Sequence, residues 1–123
     1  MSGFIRIGRR LVGPGHPVYI VAELSANHGQ KFEHAVELVR AAKEAGADAV
    51  KLQTYTPDTL TIPSGREYFK IKGGTLWDGK TLYDLYGEAF TPWEWQPELA
   101  RYAEEIGIDL FSTAFDPSAV DFL

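Results

Sequence analysis

The chain has 123 residues, with 12 lysines and arginines against 17 aspartates and glutamates, which gives a formal net charge of −5. Nucleic-acid binding needs a basic stripe, so this acidic chain with scattered cations is not expected to bind nucleic acid. We predict neither a membrane span nor a signal peptide, because the sequence contains no sufficiently long apolar run. The lack of cysteine excludes disulfides and thiolate metal sites and favours a cytoplasmic protein.

Strand and helix patterns alternate along the sequence. The apolar, β-branched run 18–24 predicts a first strand that is buried on both faces. An amphipathic helix is predicted over about 31–45, and residues 48–54 predict a second strand. The proline- and glycine-containing segment 55–90 predicts a long irregular excursion with a short helix near 81–86. Loops of this length are usually functional.

A capped helix and a third strand follow the excursion. The motif Thr-Pro-Trp-Glu at 91–94 predicts a helix start, with Thr91 as its N-cap in a capping box. This helix should end near Gly107. Residues 109–115 predict the third strand, and Asp116 is expected to open another helix.

The two helix-to-strand junctions repeat each other. Residues 44–48 and 105–109 both have the order Glu, apolar residue, Gly, apolar residue, Asp. Repeated βα units predict an α/β fold with parallel strands. Residues 1–17 alternate apolar and basic side chains around Gly-Pro-Gly, which predicts an N-terminal β-hairpin. Residues 18–123 would then hold the first three βα units of a barrel.

Three such units do not complete a fold. A (β/α)8 barrel needs roughly 250 residues, and an open three-stranded sheet would leave both of its edges unpaired. The sequence also stops within the first turns of a predicted helix. We therefore expect it to be the N-terminal part of a longer, truncated protein.

Polar residues inside the apolar strands are the candidates for chemistry. Lys51 and Gln53 share one face of the second strand by the two-residue period, and Glu23 lies near the end of the first. Glu23 and Lys51 can approach each other if these strands are parallel neighbours. A structural ion pair would explain these two charges as well as catalysis does. Their position near the carboxyl ends of the strands favours a functional role.

Two further features suit a substrate. Ser112 and Thr113 end the third strand before a helix, where hydroxyls and free N–H groups suit a phosphate, although such residues more often only satisfy a strand end. Trp77, in the glycine-rich loop 73–79, could line a sugar site or simply pack the excursion. His28 is expected to be structural, since no second histidine lies at metal-binding spacing.

Several motifs together resemble the sialic acid synthase family. The resemblance rests on residues 21–29 (Val-Ala-Glu-Leu-Ser-Ala-Asn-His-Gly), 50–54 (Val-Lys-Leu-Gln-Thr) and 111–116 (Phe-Ser-Thr-Ala-Phe-Asp). The stretches 76–86 and 91–95 are most similar to the pseudaminic acid synthase branch.

This resemblance implies a fold, a reaction and roles for single residues. The fold is a (β/α)8 barrel followed by a small antifreeze-like domain, in a swapped homodimer. The reaction condenses phosphoenolpyruvate with an N-acylated amino sugar to give a nonulosonic acid and phosphate. Lys51 would contact phosphoenolpyruvate, and Thr113, with Ser112, would contact its phosphate. Gln53 would bind the sugar, and Glu23 would lie beside the aldehyde as an acid/base or orienting group.

The resemblance also bears on the substrate and the metal. Trp77 stands where the N-acetylneuraminate branch has an asparagine, which favours a deoxy, diacetamido sugar over N-acetylmannosamine. A divalent Mn²⁺ or Mg²⁺ polarises the aldehyde in this family. Its histidine ligands come from later strands, so we expect no metal ligand in this chain.

Alternative functions remain open at this stage. The chain could belong to an N-acetylneuraminate or legionaminate synthase. A 3-deoxy-aldulosonate phosphate synthase would use the same chemistry, but it needs a second phosphate site, and the sequence shows no basic cluster for one. The alternative of another class is an inactive barrel fragment or an interaction module.

Overall fold

A short hairpin begins the structure, a computed structural model that describes residues 3–123. Strands β1 (Ile5–Ile7) and β2 (Arg10–Val12) pair antiparallel. The β-hairpin expected within 1–17 is therefore present, while residues 1 and 2 of that range lie outside the described residues.

The main sheet has three parallel strands. They are β3 (Val21–Glu23), β4 (Ala49–Thr54) and β5 (Asp109–Ala114). They lie in chain order with β4 in the centre, which confirms the α/β fold with parallel strands.

Helices alternate with these strands along the chain. The helices are α1 (Phe32–Glu44), α2 (Pro57–Leu60), α3 (Leu82–Ala89), α4 (Gln96–Ile106) and α5 (Pro117–Phe122). Because α1 and α4 contact each other as well as the sheet, both cover the same face. No helix within residues 3–123 is long and apolar enough to cross a membrane.

The hydrophobic core lies between this sheet face and the two helices. Val50 and Leu52 point into it from β4, together with Val39 of α1 and Leu99 of α4, and each of the four is at most 1% exposed. Since side chains alternate along a strand, the residues between Val50, Leu52 and Thr54 take the opposite face.

The first strand is shorter and more exposed than predicted. Only Val21–Glu23 pair with β4, whereas Val18 and Ile20 are 80% and 55% exposed. The prediction of a strand over 18–24 buried on both faces is therefore wrong in extent and burial. The reason is that β3 is an outer strand of the described sheet, with a neighbour on one side.

The predicted capping box at 91–94 is also wrong. A 3₁₀ turn at Trp93–Trp95 comes first, and α4 begins after it with a proline in its first turn. The Thr91 hydroxyl caps no helix, because it lies 3.0 Å from His28 Nε2. A tertiary contact has taken the place of the local one.

The excursion 55–90 is more ordered than an irregular loop. It contains α2 and α3, a 3₁₀ turn at Glu67–Phe69 and an isolated bridge between Lys70 and Thr81. The short helix expected near 81–86 is α3.

Two aspartates anchor the amino ends of the strands. Asp48 accepts hydrogen bonds from the Ile20 backbone N–H at 2.7 Å and from the Arg10 guanidinium of the hairpin. Asp109 accepts one from the Tyr19 hydroxyl at 2.6 Å. Partial burial, with the Asp109 carboxylate, raises the pKa of Tyr19 to about 12. These are the aspartates of the repeated junctions, so the repeat ties β3 to both following strands.

Gly107→Ala should destabilise the fold. Gly107 ends α4 in the left-handed region, at φ 74°, where a Cβ costs about 1–2 kcal/mol. The added Cβ would meet only Lys43 Nζ at 3.7 Å, so strain and not a clash is the cause. Urea unfolding of the purified protein measures the loss. Gly65→Ala is the matched control, since Gly65 has neither a positive φ nor a close neighbour. Equal losses in the two variants would contradict the prediction.

Candidate active site

An ion pair joins the end of β3 to the middle of β4. Their register places Glu23 opposite Lys51, and Lys51 Nζ lies 2.8 Å from Glu23 Oε1, as the strand period predicts. The Glu23 side chain is 58% exposed and the Lys51 side chain is 29% exposed. Pairs this accessible stabilise a fold by about 1 kcal/mol or less. A structural ion pair and a ligand-binding role both fit this geometry.

Two polar side chains extend this face toward the carboxyl edge. Gln53 is in register with Thr113 of β5, and Lys51 is in register with Phe111. Residues that lie opposite each other on adjacent parallel strands point to the same side of the sheet. Lys51, Gln53 and Thr113 therefore share one face with Glu23. The sequence predicts this arrangement for Lys51, Gln53 and Glu23. This face offers a cation, a carboxylate, an amide and a hydroxyl beside the partly exposed ring of Phe111.

Ser112 does not belong to this group. Its hydroxyl lies 2.6 Å from Thr54 Oγ1, which also accepts a hydrogen bond from Gln96 Nε2 at 2.9 Å. Ser112 is in register with the buried Leu52, so it faces the helices. Of the two hydroxyls predicted to act together, only that of Thr113 shares the face of Lys51, because consecutive residues alternate across a strand.

The helix after β5 does not offer free N–H groups. The Asp116 carboxylate accepts hydrogen bonds from the backbone N–H groups of Ser118, at 3.0 Å, and Ala119, at 3.3 Å. The hydrogen bond from the Ser118 hydroxyl lowers the pKa of Asp116. This cap occupies the N–H groups that the sequence suggested for a phosphate.

Trp77 lies in a tightly turned loop. Asp78 accepts backbone hydrogen bonds from Thr75 and Gly74, both at 2.9 Å, and these bonds lower the pKa of Asp78 to about 2. The ring of Trp77 is 42% exposed and has Lys80 Nζ 5.3 Å from its centre. The structure thus places Trp77 beside Lys80 of its own segment.

A buried histidine connects two loops near the site. His28 Nδ1 accepts a hydrogen bond from the Gln30 N–H at 3.1 Å, so Nε2 carries the proton and donates to Thr91 Oγ1. The ring meets Trp95 edge to face, with centres 5.3 Å apart. Burial lowers the pKa of His28. Sequence analysis predicted a structural histidine but missed Thr91, because the two lie 63 residues apart and share no local motif.

The described residues do not form a metal site. Within 3–123, no three side chains of histidine, cysteine, aspartate or glutamate come together in a way that could hold a metal ion. The donor set of the described residues does not by itself fit a divalent cation.

Comparison with known proteins places this geometry in a family. A model described as the NeuB family matches residues 38–123. The chain belongs to the NeuB family. The resemblance seen in its motifs is thereby confirmed.

Individual NeuB relatives agree with this assignment. The pseudaminic acid synthase of Campylobacter jejuni serotype O:2 is 53% identical over 106 residues, which are 86% of this chain and 31% of that protein. The pseudaminic acid synthase of Helicobacter pylori is 50% identical over 107 residues, 87% of this chain and 31% of that protein. The chain thus spans about a third of the length of these curated relatives.

A solved structure has the same fold. The crystal structure of the N-acetylneuraminic acid (sialic acid) synthetase from Leptospira borgpetersenii serovar Hardjo-bovis, in complex with citrate, superposes with a TM-score of 0.78 at 25% identity. The superposition covers 100% of this chain and 38% of that one.

We predict that His28 makes the fold less stable in acid. Its pKa is lowered from 6.5 in the folded chain, so below about pH 6.5 the unfolded chain binds more protons. The contribution of neutral His28 to the free energy of unfolding is complete above the pKa of the unfolded chain. It is lost as the pH falls toward the pKa of the folded chain. His28→Gln should flatten the fall of unfolding free energy between about pH 7 and pH 5, measured with urea at each pH. His34→Gln, at an exposed site on α1, should retain the fall. A parental slope in His28→Gln would rule out this role.

Proposed function

We propose that this chain is the N-terminal part of a nonulosonic acid synthase, which condenses phosphoenolpyruvate with the open-chain aldehyde of an N-acylated amino sugar. The observation that carries the proposal is the Glu23–Lys51 pair at the carboxyl edge of a parallel sheet in a chain of the NeuB family. In folds of this class, catalysis occurs at that edge.

The proposed architecture is a (β/α)8 barrel that these residues begin. Both α1 and α4 cover one face of the sheet. A barrel keeps all of its helices outside and turns the other face inward, whereas an open doubly wound sheet has helices on both faces. The placement of the helices thus supports a barrel, with Lys51, Gln53 and Thr113 on its inner wall.

The reaction needs cationic and hydroxyl partners for an anionic substrate. In the proposed mechanism, C3 of phosphoenolpyruvate forms a bond to the aldehyde carbon and water adds at C2. The bond between C2 and the phosphate oxygen then breaks and releases inorganic phosphate. Lys51 would hold the carboxylate or phosphate of phosphoenolpyruvate by charge, and the Thr113 hydroxyl would donate to its phosphate.

The remaining two residues lie on the sugar side of the proposal. Gln53 has an amide that can both donate to and accept from sugar hydroxyls. Glu23 can accept or return a proton at the aldehyde oxygen, or orient the Lys51 ammonium, which lies 2.8 Å away. A cation and a hydroxyl beside an amide and a carboxylate suit a face that binds an anion next to a neutral, polar substrate.

The proposed substrate is the precursor of pseudaminic acid. Two relatives at 50–53% identity are pseudaminic acid synthases. Trp77 in place of an asparagine favours a deoxy, diacetamido sugar over N-acetylmannosamine. An N-acetylneuraminate or legionaminate synthase is the alternative within the same reaction class.

The resemblance extends the proposal beyond this chain. We propose that the full-length protein is a homodimer and that it uses Mn²⁺ or Mg²⁺, with metal ligands outside residues 3–123. The partners of the site would be phosphoenolpyruvate and the amino sugar.

Lys51→Ala in the full-length protein should lower kcat/KM for phosphoenolpyruvate by about 10²–10³-fold, because a charge that stabilises the reacting anion is lost. Phosphate release at varied phosphoenolpyruvate concentration measures the change. Lys43→Ala is the matched control. Lys43 donates to Gly107 O at the other edge of the sheet, so its loss should leave turnover within a fewfold of the parent. Turnover of Lys51→Ala within a fewfold of the parent would show that the site is wrongly assigned.

The mass of the natural protein decides between the enzyme and the fragment. An intact mass well above 13.7 kDa supports the synthase and permits the assay. A natural species of 13.7 kDa would instead favour the inactive fragment or interaction module, for which the outer edges of β3 and β5 are the relevant surfaces.

The full-length protein should prefer a deoxy, diacetamido sugar over N-acetylmannosamine. The ratio of kcat/KM should be about 10-fold or more, which corresponds to the loss of one good contact. Phosphate release with each sugar at saturating phosphoenolpyruvate gives this ratio. Trp77→Asn tests the origin of the preference and should reduce it. A preference for N-acetylmannosamine would reject the pseudaminic acid assignment and keep the reaction class.

A further inference from the structure

The excursion 55–90 leaves and re-enters the fold at one point. Its first residue, Tyr55, directly follows β4, and the Tyr55 carbonyl accepts a hydrogen bond from Trp93 Nε1 at 3.1 Å. The Tyr55 ring is 4% exposed and packs edge to face on Tyr86 of α3 and on Phe115, which follows β5. Both ends of the excursion are therefore anchored at the carboxyl edge of the sheet.

The loop 24–31 after β3, which we call the gripping loop, forms hydrogen bonds with the returning end of the excursion. His28 donates to Thr91 Oγ1 at 3.0 Å, and Gln30 Nε2 donates to the Phe90 carbonyl. His28 and Thr91 are each 1% exposed. A buried imidazole and a buried hydroxyl that satisfy each other form a specific contact, because neither group has water as an alternative partner.

The gripping loop itself has an unusual backbone. Ser25 and Gln30 both lie in the left-handed region, at φ 48° and 57°, which is uncommon for residues other than glycine. Such conformations persist only where the surroundings enforce them. The Gln30 N–H donates to His28 Nδ1, so one imidazole both shapes the loop and joins it to the excursion.

The joined elements flank the sugar side of the proposed site. Glu23 is the residue immediately before the gripping loop, and Gln53 lies two residues before Tyr55. We infer that His28 and Thr91 are positioning residues that hold the excursion 55–90 as the wall of the site on the side of the amino sugar. This inference rests on the proposed function. It assigns to the His28–Thr91 hydrogen bond, which we call the clamp, an effect on sugar binding that exceeds its effect on phosphoenolpyruvate binding.

Thr91→Val in the full-length protein removes the hydroxyl and keeps the side-chain shape. The KM for the amino sugar should rise about tenfold. The reason is that the buried His28 N–H loses its acceptor, so the excursion is held less firmly beside the sugar. The KM for phosphoenolpyruvate and kcat should change less than about twofold. Thr91→Ser keeps the hydroxyl and should restore the parental KM. The control is Tyr19→Phe, which removes one hydroxyl contact at the opposite edge, that with Asp109, and should leave both KM values unchanged.

Amide hydrogen exchange provides a reading that needs no activity. Exchange in 55–90 should be faster in Thr91→Val than in the parent or in Tyr19→Phe. Faster exchange with an unchanged sugar KM, or equal rises in both KM values, would overturn the positioning role. Unchanged exchange would overturn the clamp itself. Absence of turnover in the parent would reject the proposed function instead, and the exchange experiment would still decide whether the clamp exists.

Discussion

The parallel register of β4 with its two neighbours is the constraint on which the rest of the structure depends. It sets Val50 and Leu52 in the core and, by alternation, sets Lys51 and Gln53 on the open face. A shift by one residue would exchange these two sets. The ammonium of Lys51 would then lie among apolar side chains, away from Glu23, which is strongly unfavourable. The same packing that stabilises the sheet therefore orients the site.

The two edges of the sheet use their charges differently. At the amino edge, Asp48 and Asp109 are engaged by Arg10, Ile20 and Tyr19, which hold the hairpin and β3 to the following strands. At the carboxyl edge, the polar groups of the open face remain accessible. The fixed contacts thus lie at the amino edge, which is the edge that serves stability in barrel enzymes.

Sequence reasoning succeeded where local periodicity determines the outcome. The alternation along β4 predicted which side chains share a face, and the repeated Glu-x-Gly-x-Asp junctions predicted parallel βα units. It failed where distant residues compete for a local role. Thr91 satisfies His28 instead of capping a helix, and Ser112 satisfies Thr54 instead of joining Thr113. Neither partner can be inferred from neighbouring residues, because each bond depends on the assembled fold.

The two ends of the excursion 55–90 meet in a closed neck at Tyr55 and Trp93, and this allows the excursion to vary between related proteins. Since the Tyr55 carbonyl and the Trp93 indole already hold its ends together, the entropy of closing the loop depends only weakly on how many residues lie between. Insertions or deletions far from the neck would therefore perturb the sheet little. One scaffold could in this way accommodate excursions of different length and composition, while Lys51, Gln53 and Thr113 on the open face of the sheet stay unchanged.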